Sequence, residues 1–308
     1  MSTLSSFEKA LRRWRFWPHP PMSTFDQHAP RPLLFVVASD ERRPIDPPIR
    51  ITIVTPSYNQ RKYLEATVNS VLGQNYPALC YHVQDAASQD GTMELLTQYG
   101  SRLGWRSEPD TGQGNAINTG FRIATIDCDV MAYLNSDDTL LPGTLSYVAG
   151  VFRDRPDIDI VYGHRIFINE DGLEIGRAVF PPHDAKALQY IGYVPQETMF
   201  WRRRVWDKIG PIDESFRFAL DWDFMLRAQQ AGFTMVRLPR FLGCFRIHAE
   251  QKTSAMMHVG LDEMLLLRRR HLGHLPSRAE TYRAVVPFLV RQLAYHGLYR
   301  LNVLKYFP

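Results

Sequence analysis

Two adjacent carboxylates, Asp137 and Asp138, close the segment Leu134-Asn135-Ser136-Asp137-Asp138, directly after the apolar run Val130-Met131-Ala132-Tyr133-Leu134. Such a run reads as a buried strand, and a strand that delivers two acids to its C-terminal end needs a use for them. A hard divalent cation is one use, because Mg2+ and Mn2+ take one or two carboxylates and complete their shells with phosphate oxygens. An Asx turn that caps the helix starting near Pro142 is the other. The pair alone does not choose between them.

The elements that must position the pair recur in a regular order. Ile51-Thr52-Ile53-Val54-Thr55 is predicted as a strand buried on both faces, ending in Pro56-Ser57-Tyr58. A helix follows over Lys62–Gln74, with Leu64, Val68, Val71 and Leu72 on one face. Tyr81–Gln84 is a second strand and ends at Asp85. Ser88-Gln89-Asp90-Gly91-Thr92 reads as a turn capping a helix over Met93–Tyr99, which gives Asp90 a local role. Trp105–Glu108 is a third strand, and Asp110–Gly114 opens a helix to about Thr125. The acids end the fourth strand, Pro142–Arg153 is a helix, and Ile158–Tyr162 is a fifth strand.

Strands alternating with helices of this length imply a parallel α/β sheet with right-handed crossovers. Ligands of such sheets bind beyond the carboxyl ends of the strands, where strand order reverses. Pro56-Ser57-Tyr58, Asp85, Glu108-Pro109-Asp110 and Asn135 through Asp138 all fall on that one edge. Acids at three of four strand ends favour a site over a set of independent caps.

Beyond residue 163 the pattern becomes mixed. Arg165–Ile168 and Leu173–Arg177 flank a hairpin turn, Asp184–Ile191 is a short helix, and Thr198–Trp201 is a strand. Helices follow over Arg202–Ile209 and from Leu220 to about Ala231, with strands over Phe233–Leu238 and Phe241–Ile247. Residues 1–50 hold 8 of the 21 prolines and read as an irregular arm, with a short helix over Phe7–Trp14 and an edge strand over Leu34–Val37. Residues 281–305 mix apolar side chains with Arg283, Arg291, Arg300 and Lys305. They read as helix packed on the domain, with a membrane-surface helix as the alternative, and Pro287 is expected to interrupt any single helix. The division that results is a basic arm over 1–50, a main domain over 51–259 with halves 51–163 and 164–259, and a basic amphipathic region over 260–308.

Composition narrows the function classes. The 308 residues are 45% hydrophobic and 22% charged, ordinary values for a packed core. Cys80, Cys128 and Cys244 lie far apart without metal-ligand spacing, which argues for a reducing compartment. No secretory pattern stands at the N-terminus and no run of 18 apolar residues occurs, so the expected location is cytoplasmic, with peripheral attachment to the inner membrane face as an option. Charge is uneven: +3 over residues 1–50, −4 over 51–259 and +5 over 260–308. Basic, aromatic ends suit an anionic membrane surface. The acidic centre disfavours a nucleic-acid partner.

Five motifs together resemble a known family. Thr55-Pro56-Ser57-Tyr58-Asn59-Gln60, Asp85 through Thr92, Glu108 through Gln113, Asn135-Ser136-Asp137-Asp138 and Leu220-Asp221-Trp222-Asp223 occur in the order found in inverting family 2 glycosyltransferases with a GT-A fold. The resemblance runs from about Ile51 to Thr253. It implies a mostly parallel sheet with helices on both faces, a small mixed acceptor-side subregion and C-terminal helices. It also implies a nucleoside diphosphate sugar donor, a glycan or lipid-linked acceptor, and Mg2+ or Mn2+. Pro56, Ser57, Tyr58, Asp85, Glu108, Asp110, Asn135 and Asp137 would then bind the nucleotide sugar. Asp138 would be the metal ligand, with His248 as a further contact. Asp221 would be the general base that an inverting displacement requires, with a helix N-cap as its local alternative. Gln196, Glu197 and Trp222 would lie on the acceptor side, Trp222 being equally a core residue. Arg246 and Lys252 are candidates for the diphosphate, and Asp223 pairs one turn on with Arg227.

Two departures stand out: Ala86-Ala87 replaces the usual glycines, and Asn135 replaces an aspartate. A sugar nucleotidyltransferase would want a Gly-rich, basic loop after the first strand, and Pro56 through Gln60 contains neither glycine nor charge. The remaining rival is a sugar-nucleotide-binding or membrane-associated scaffold that has lost transfer activity. Retention of both Asp138 and Asp221 speaks against it.

Overall fold

The strand that starts the regular pattern, β1 (Ile51–Ser57), is buried at every residue, as a strand enclosed on both faces must be. The computed structural model describes residues 28–34, 47–124, 127–249 and 257–304. After β1 come α1 (Arg61–Leu72), β2 (Leu79–Asp85), α2 (Thr92–Thr97), β3 (Gly104–Ser107), α3 (Gln113–Ala124) and β4 (Val130–Tyr133). Then follow β5 (Thr139–Leu140), α4 (Thr144–Asp154), β6 (Ile160–Ile168), β7 (Glu174–Ala178), α5 (Ala185–Leu188), β8 (Phe200–Arg202) and α6 (Arg203–Ile209). The described chain ends with α7 (Leu220–Gln230), β9 (Met235–Arg246), α8 (Met257–Leu272) and α9 (Arg278–Arg300).

One sheet runs in the order β3-β2-β1-β4-β8-β6-β9-β5, with β7 on β6. β1, β2, β3 and β4 pair in parallel. β8 runs antiparallel to both β4 and β6, while β6 and β9 are parallel. From β1 the chain builds outward through β2 and β3, then returns to place β4 on the other side. Strand order therefore reverses between β1 and β4, and a crevice opens at their carboxyl ends.

Alternation along the strands divides the core. On β4, Met131 and Tyr133 face one cluster with Phe121 of α3, Phe224 of α7, Leu267 of α8 and Phe288 of α9. Val130, Ala132 and Leu134 face the other, with Val68 of α1, Leu96 of α2 and Phe152 of α4.

Three elements differ from expectation. Phe233–Leu238 and Phe241–Ile247 form one strand, β9, because the register with β6 shifts around Gly163 and accommodates Pro239 as a bulge. Ile158–Tyr162 and Arg165–Ile168 likewise join in β6. Pro287 sits inside α9 without ending it. A proline there costs about 3 kcal/mol, and the burial of Ala284, Val285 and Phe288 around it offsets that cost. The helix over Phe7–Trp14 lies outside the described residues, as does the Leu34–Val37 strand beyond Leu34. Arg31 makes a single antiparallel bridge to Glu174.

Candidate active site

The first part of the site is a row of side chains across three strand ends. Register places Ser57 beside Asp85, and Asp85 beside Ser107. Asp85 is fully buried, and its carboxylate accepts the Ser88 N–H at 2.9 Å, the Ser88 hydroxyl at 2.6 Å and the Ser107 hydroxyl at 2.6 Å. Ser88 Oγ in turn accepts the Asn59 N–H at 2.7 Å. Asp85 thus ties the loops after β1, β2 and β3 together, a role that sequence reading missed because Ser88 and Ser107 carry no charge. Ser57 Oγ is buried with no hydrogen-bond partner, a deficit of about 1–3 kcal/mol that a bound ligand would remove. Pro56 is buried beside it, and Tyr58 stands 63% exposed at the mouth.

The loop between β2 and α2 turns at Ala87, which has φ +56°. That conformation costs a non-glycine residue about 1–2 kcal/mol, so the departure at Ala86-Ala87 left the turn in place and added strain. Asp90 accepts the Thr92 N–H and hydroxyl and also the Arg61 N–H at 2.8 Å. It caps local structure, as expected. Glu108 pairs with Arg106 at 2.7 Å. Asp110 accepts the Gly112 N–H at the start of α3, an Asx turn.

The acidic segment after β4 forms the second part. Asn135 bridges it: Oδ1 accepts Gln113 Nε2 at 2.6 Å, while Nδ2 lies 3.3 Å from both Asp138 Oδ2 and Gln196 Oε1. Gln196 also donates to the Tyr133 carbonyl at 2.7 Å. Asp138 is only 1% exposed. Its Oδ1 accepts the Arg246 N–H of β9 at 3.0 Å, and its main-chain oxygen accepts the Thr67 hydroxyl. Burial, then the nearby charges of Asp137 and Glu197, push the Asp138 carboxyl well above the usual carboxylate range. The Asp137 side chain keeps 18% of its surface, and its Oδ2 lies 2.9 Å from His248 Nε2. Asp138 thus clamps the turn to β9, while Asp137 keeps the more exposed carboxylate and meets the buried His248 ring.

Arg246 is held by the scaffold. Its guanidinium donates to the carbonyls of Asp137, Asn169 and Glu170 and lies 5.0 Å over the Tyr63 ring. It is committed to the scaffold and not free for a diphosphate. Lys252 lies outside the described residues.

The third part gathers around Tyr133. Asp221, Asp138 and Glu197 all act on this buried phenol, whose pKa burial and those three charges raise well above its ordinary value. Glu197 is buried and pairs with Arg165 through Oε1 at 2.7 Å and Oε2 at 2.5 Å. Breaking one partner of so enclosed a pair costs about 3–5 kcal/mol. Sequence reading missed Arg165, since an arginine between two apolar stretches signals nothing without its distant partner. Asp221 stands in the first turn of α7 and accepts the Trp222 N–H at 2.8 Å. Enclosure by protein pushes its carboxyl up to about 6, against the lowering effects of main-chain N–H groups and Arg165. Trp222 is 3% exposed, donates its indole N–H to the Leu188 carbonyl at 2.7 Å and packs on Gly192. Its ring is covered, as the core alternative for Trp222 expects. Asp223 pairs with Arg227 at 2.6 Å, as expected.

Comparison with known proteins decides the family. The family described as Glycosyl transferase family 2 matches residues 52–211, about half of the chain. The chain belongs to this family. An uncharacterized glycosyltransferase of Nostoc sp. is 26% identical over 177 residues, covering 54% of each chain. A PGL/p-HBAD biosynthesis glycosyltransferase of Mycobacterium tuberculosis is 28% identical over 181 residues, covering 57% of this chain and 68% of that one. The chain thus spans about half the length of the Nostoc relative. Among solved structures, S. aureus TarS (residues 1–349, with UDP-GlcNAc) superposes with a TM-score of 0.59 at 16% identity, over 80% of this chain and 73% of that chain. Mannosyltransferase PcManGT from Pyrobaculum calidifontis, in complex with GDP-Man and Mn2+, gives 0.52 at 18% identity, over 94% and 76%. The chain therefore carries a family 2 glycosyltransferase domain with a GT-A fold.

Proposed function

We propose that this protein transfers a glycosyl group, with inversion, from a nucleoside diphosphate sugar to a hydroxyl of a glycan or lipid-linked acceptor. One observation carries the reading: the Asp137–His248 pair and the Tyr133-centred acids including Asp221 are linked through Asp138 at the edge where strand order reverses. The Ser57–Asp85–Ser107 row, with its unpartnered Ser57 hydroxyl, suits the nucleoside.

The donor set at Asp137 and His248 fits a divalent cation. Asp137 Oδ2 and His248 Nε2, 2.9 Å apart, would together hold it. His248 Nε2 is held by Asp137, and its Nδ1 is buried without a partner. Among the described residues no group of three His, Cys, Asp or Glu side chains stands ready to hold a metal, so a cation held by Asp137 and His248 would draw further ligands from the diphosphate. Imidazole favours Mn2+ over Mg2+. When bound, the cation supplies positive charge that offsets the charge growing on the departing diphosphate. Asp221 then takes the proton of the attacking acceptor hydroxyl. As the new bond to the anomeric carbon forms on one face, the bond to the diphosphate breaks on the other. A carboxyl that titrates near 6 is ionised at neutral pH and still a competent base.

A panel of nucleoside diphosphates and their sugars tests this reading by thermal shift. A true donor at 100 times its Kd should stabilise the fold by about 2.7 kcal/mol in the presence of Mn2+. No shift with any member of the panel would contradict the donor assignment.

We also place the enzyme at an anionic membrane surface on the cytoplasmic side. Val285 and Phe288 of α9 pack into the core, while Tyr282, Val286, Val290 and Leu293 form an exposed apolar stripe. Arg283 and Arg300 are exposed on the same helix. One face of this helix packs on the domain and the other carries the exposed apolar stripe. No helix among the described residues is long and apolar enough to cross a membrane. Arginines near both ends of the stripe oppose self-association through this face and favour anionic lipid. The protein should co-sediment with phosphatidylglycerol vesicles but not with phosphatidylcholine vesicles, and Leu293→Glu should abolish the binding. Equal binding to both vesicles, or concentration-dependent dimers that L293E disrupts, would contradict this placement.

A further inference from the structure

The helix that carries Asp221 has no cap of its own. α7 starts after Ala219, whose side chain offers no acceptor, and the main-chain N–H groups of the turn before it need an oxygen from elsewhere. Glu263 of α8 provides it. Its Oε1 accepts the Arg217 N–H at 2.8 Å, and its Oε2 accepts the Phe218 N–H at 2.8 Å and the Ala219 N–H at 2.9 Å. Three successive main-chain donors converge on one carboxylate that is itself 9% exposed.

α8 grips the same turn at two more points. A Cβ at Gly260 would meet the Phe218 ring at 2.8 Å, so that ring lies directly on the α8 backbone, as only glycine allows. Arg270, seven residues after Glu263 and so on the same face of α8, bonds Asp213 at 2.9 Å and Asp223 at 3.1 Å. The residues on both sides of Asp221 are thereby fixed from a helix that lies beyond the matched family segment, 52–211.

We propose that Glu263 is a positioning residue for sugar transfer, holding the Arg217-Phe218-Ala219 turn so that the Asp221 carboxylate meets the acceptor hydroxyl. The proposal rests on the assignment of Asp221 as base. It gives the C-terminal region a part in the reaction: α8 completes the acceptor side and leaves the nucleotide row untouched. A carboxylate is required because all three partners are donors. Glutamine would turn an N–H2 toward one of them.

The test uses the full-length protein with Glu263→Gln, Glu263→Asp, Asp221→Asn and the E263Q/D221N double variant. Transfer to acceptor, calorimetric affinity for the donor nucleotide and melting temperature are measured for each. E263Q should lower kcat for transfer by about tenfold or more, the scale of a small misplacement of a reacting group. Donor affinity should stay within about twofold, since the Ser57–Asp85–Ser107 row lies elsewhere in the fold. E263D, which keeps the charge, should recover part of the loss, and E263Q should add nothing in the D221N background. Wild-type transfer by E263Q would overturn the proposal. So would a loss of donor affinity in step with kcat, which marks a residue that merely holds the fold. If E263Q does not fold, E263D is judged by the same two criteria. D221N with wild-type transfer would defeat the base assignment itself, whereas an inactive D221N beside an unchanged E263Q defeats only the role of Glu263.

Discussion

Replacing Asp221 with asparagine is expected to reduce transfer by about 10²- to 10⁴-fold, the usual worth of a positioned general base, while donor binding persists. The variant should also be more stable than the native protein at pH 7. The carboxyl titrates near 6 in the fold, above its ordinary value of 3.8. The native state therefore holds a proton that the unfolded chain has released, and stability falls as pH rises between those values. Asparagine does not titrate. Its advantage should be absent below about pH 4 and complete above about pH 6, seen as a rising difference in melting temperature. Lost activity with a raised melting temperature cannot be blamed on misfolding. Unchanged turnover would remove Asp221 from the mechanism.

Asp137→Asn should weaken metal-dependent donor binding by about tenfold or more, because it removes the carboxylate charge beside His248. Calorimetry with the donor nucleotide, in Mn2+ and in chelator, reads the effect: affinity should become nearly independent of metal. Asp138→Asn is the informative contrast. Asparagine keeps an oxygen for the Arg246 N–H, which holds the turn to β9. Metal dependence should survive in D138N. The reverse pattern would make Asp138 the ligand.

The strand ends were legible from the sequence because parallel strands enclosed on both faces are continuous apolar runs that stop at polar residues. Asp85, Asn135, Asp137, Asp138 and Asp221 were each singled out on that basis or through the motif resemblance. Which of the adjacent acids faces outward was not legible. The Arg246 N–H that encloses Asp138 comes from a strand 108 residues away, and no local pattern encodes it. The same holds for the Arg165–Glu197 pair and for Glu263, whose three acceptor contacts lie 44–46 residues back in the chain. Local rules misled at Pro287 and Pro239. A helix breaker and a strand breaker were tolerated there because tertiary burial on either side outweighed the missing hydrogen bond.

The most direct measurement is the pH dependence of kcat/KM for transfer, in wild type and in D221N. The wild-type rate should rise with pH through an apparent pKa near 6 and level off above about pH 7, as the free-enzyme base loses its proton. In D221N the residual rate should lack that limb. An acid limb that persists in D221N would contradict the account, because the titrating base would then be another group.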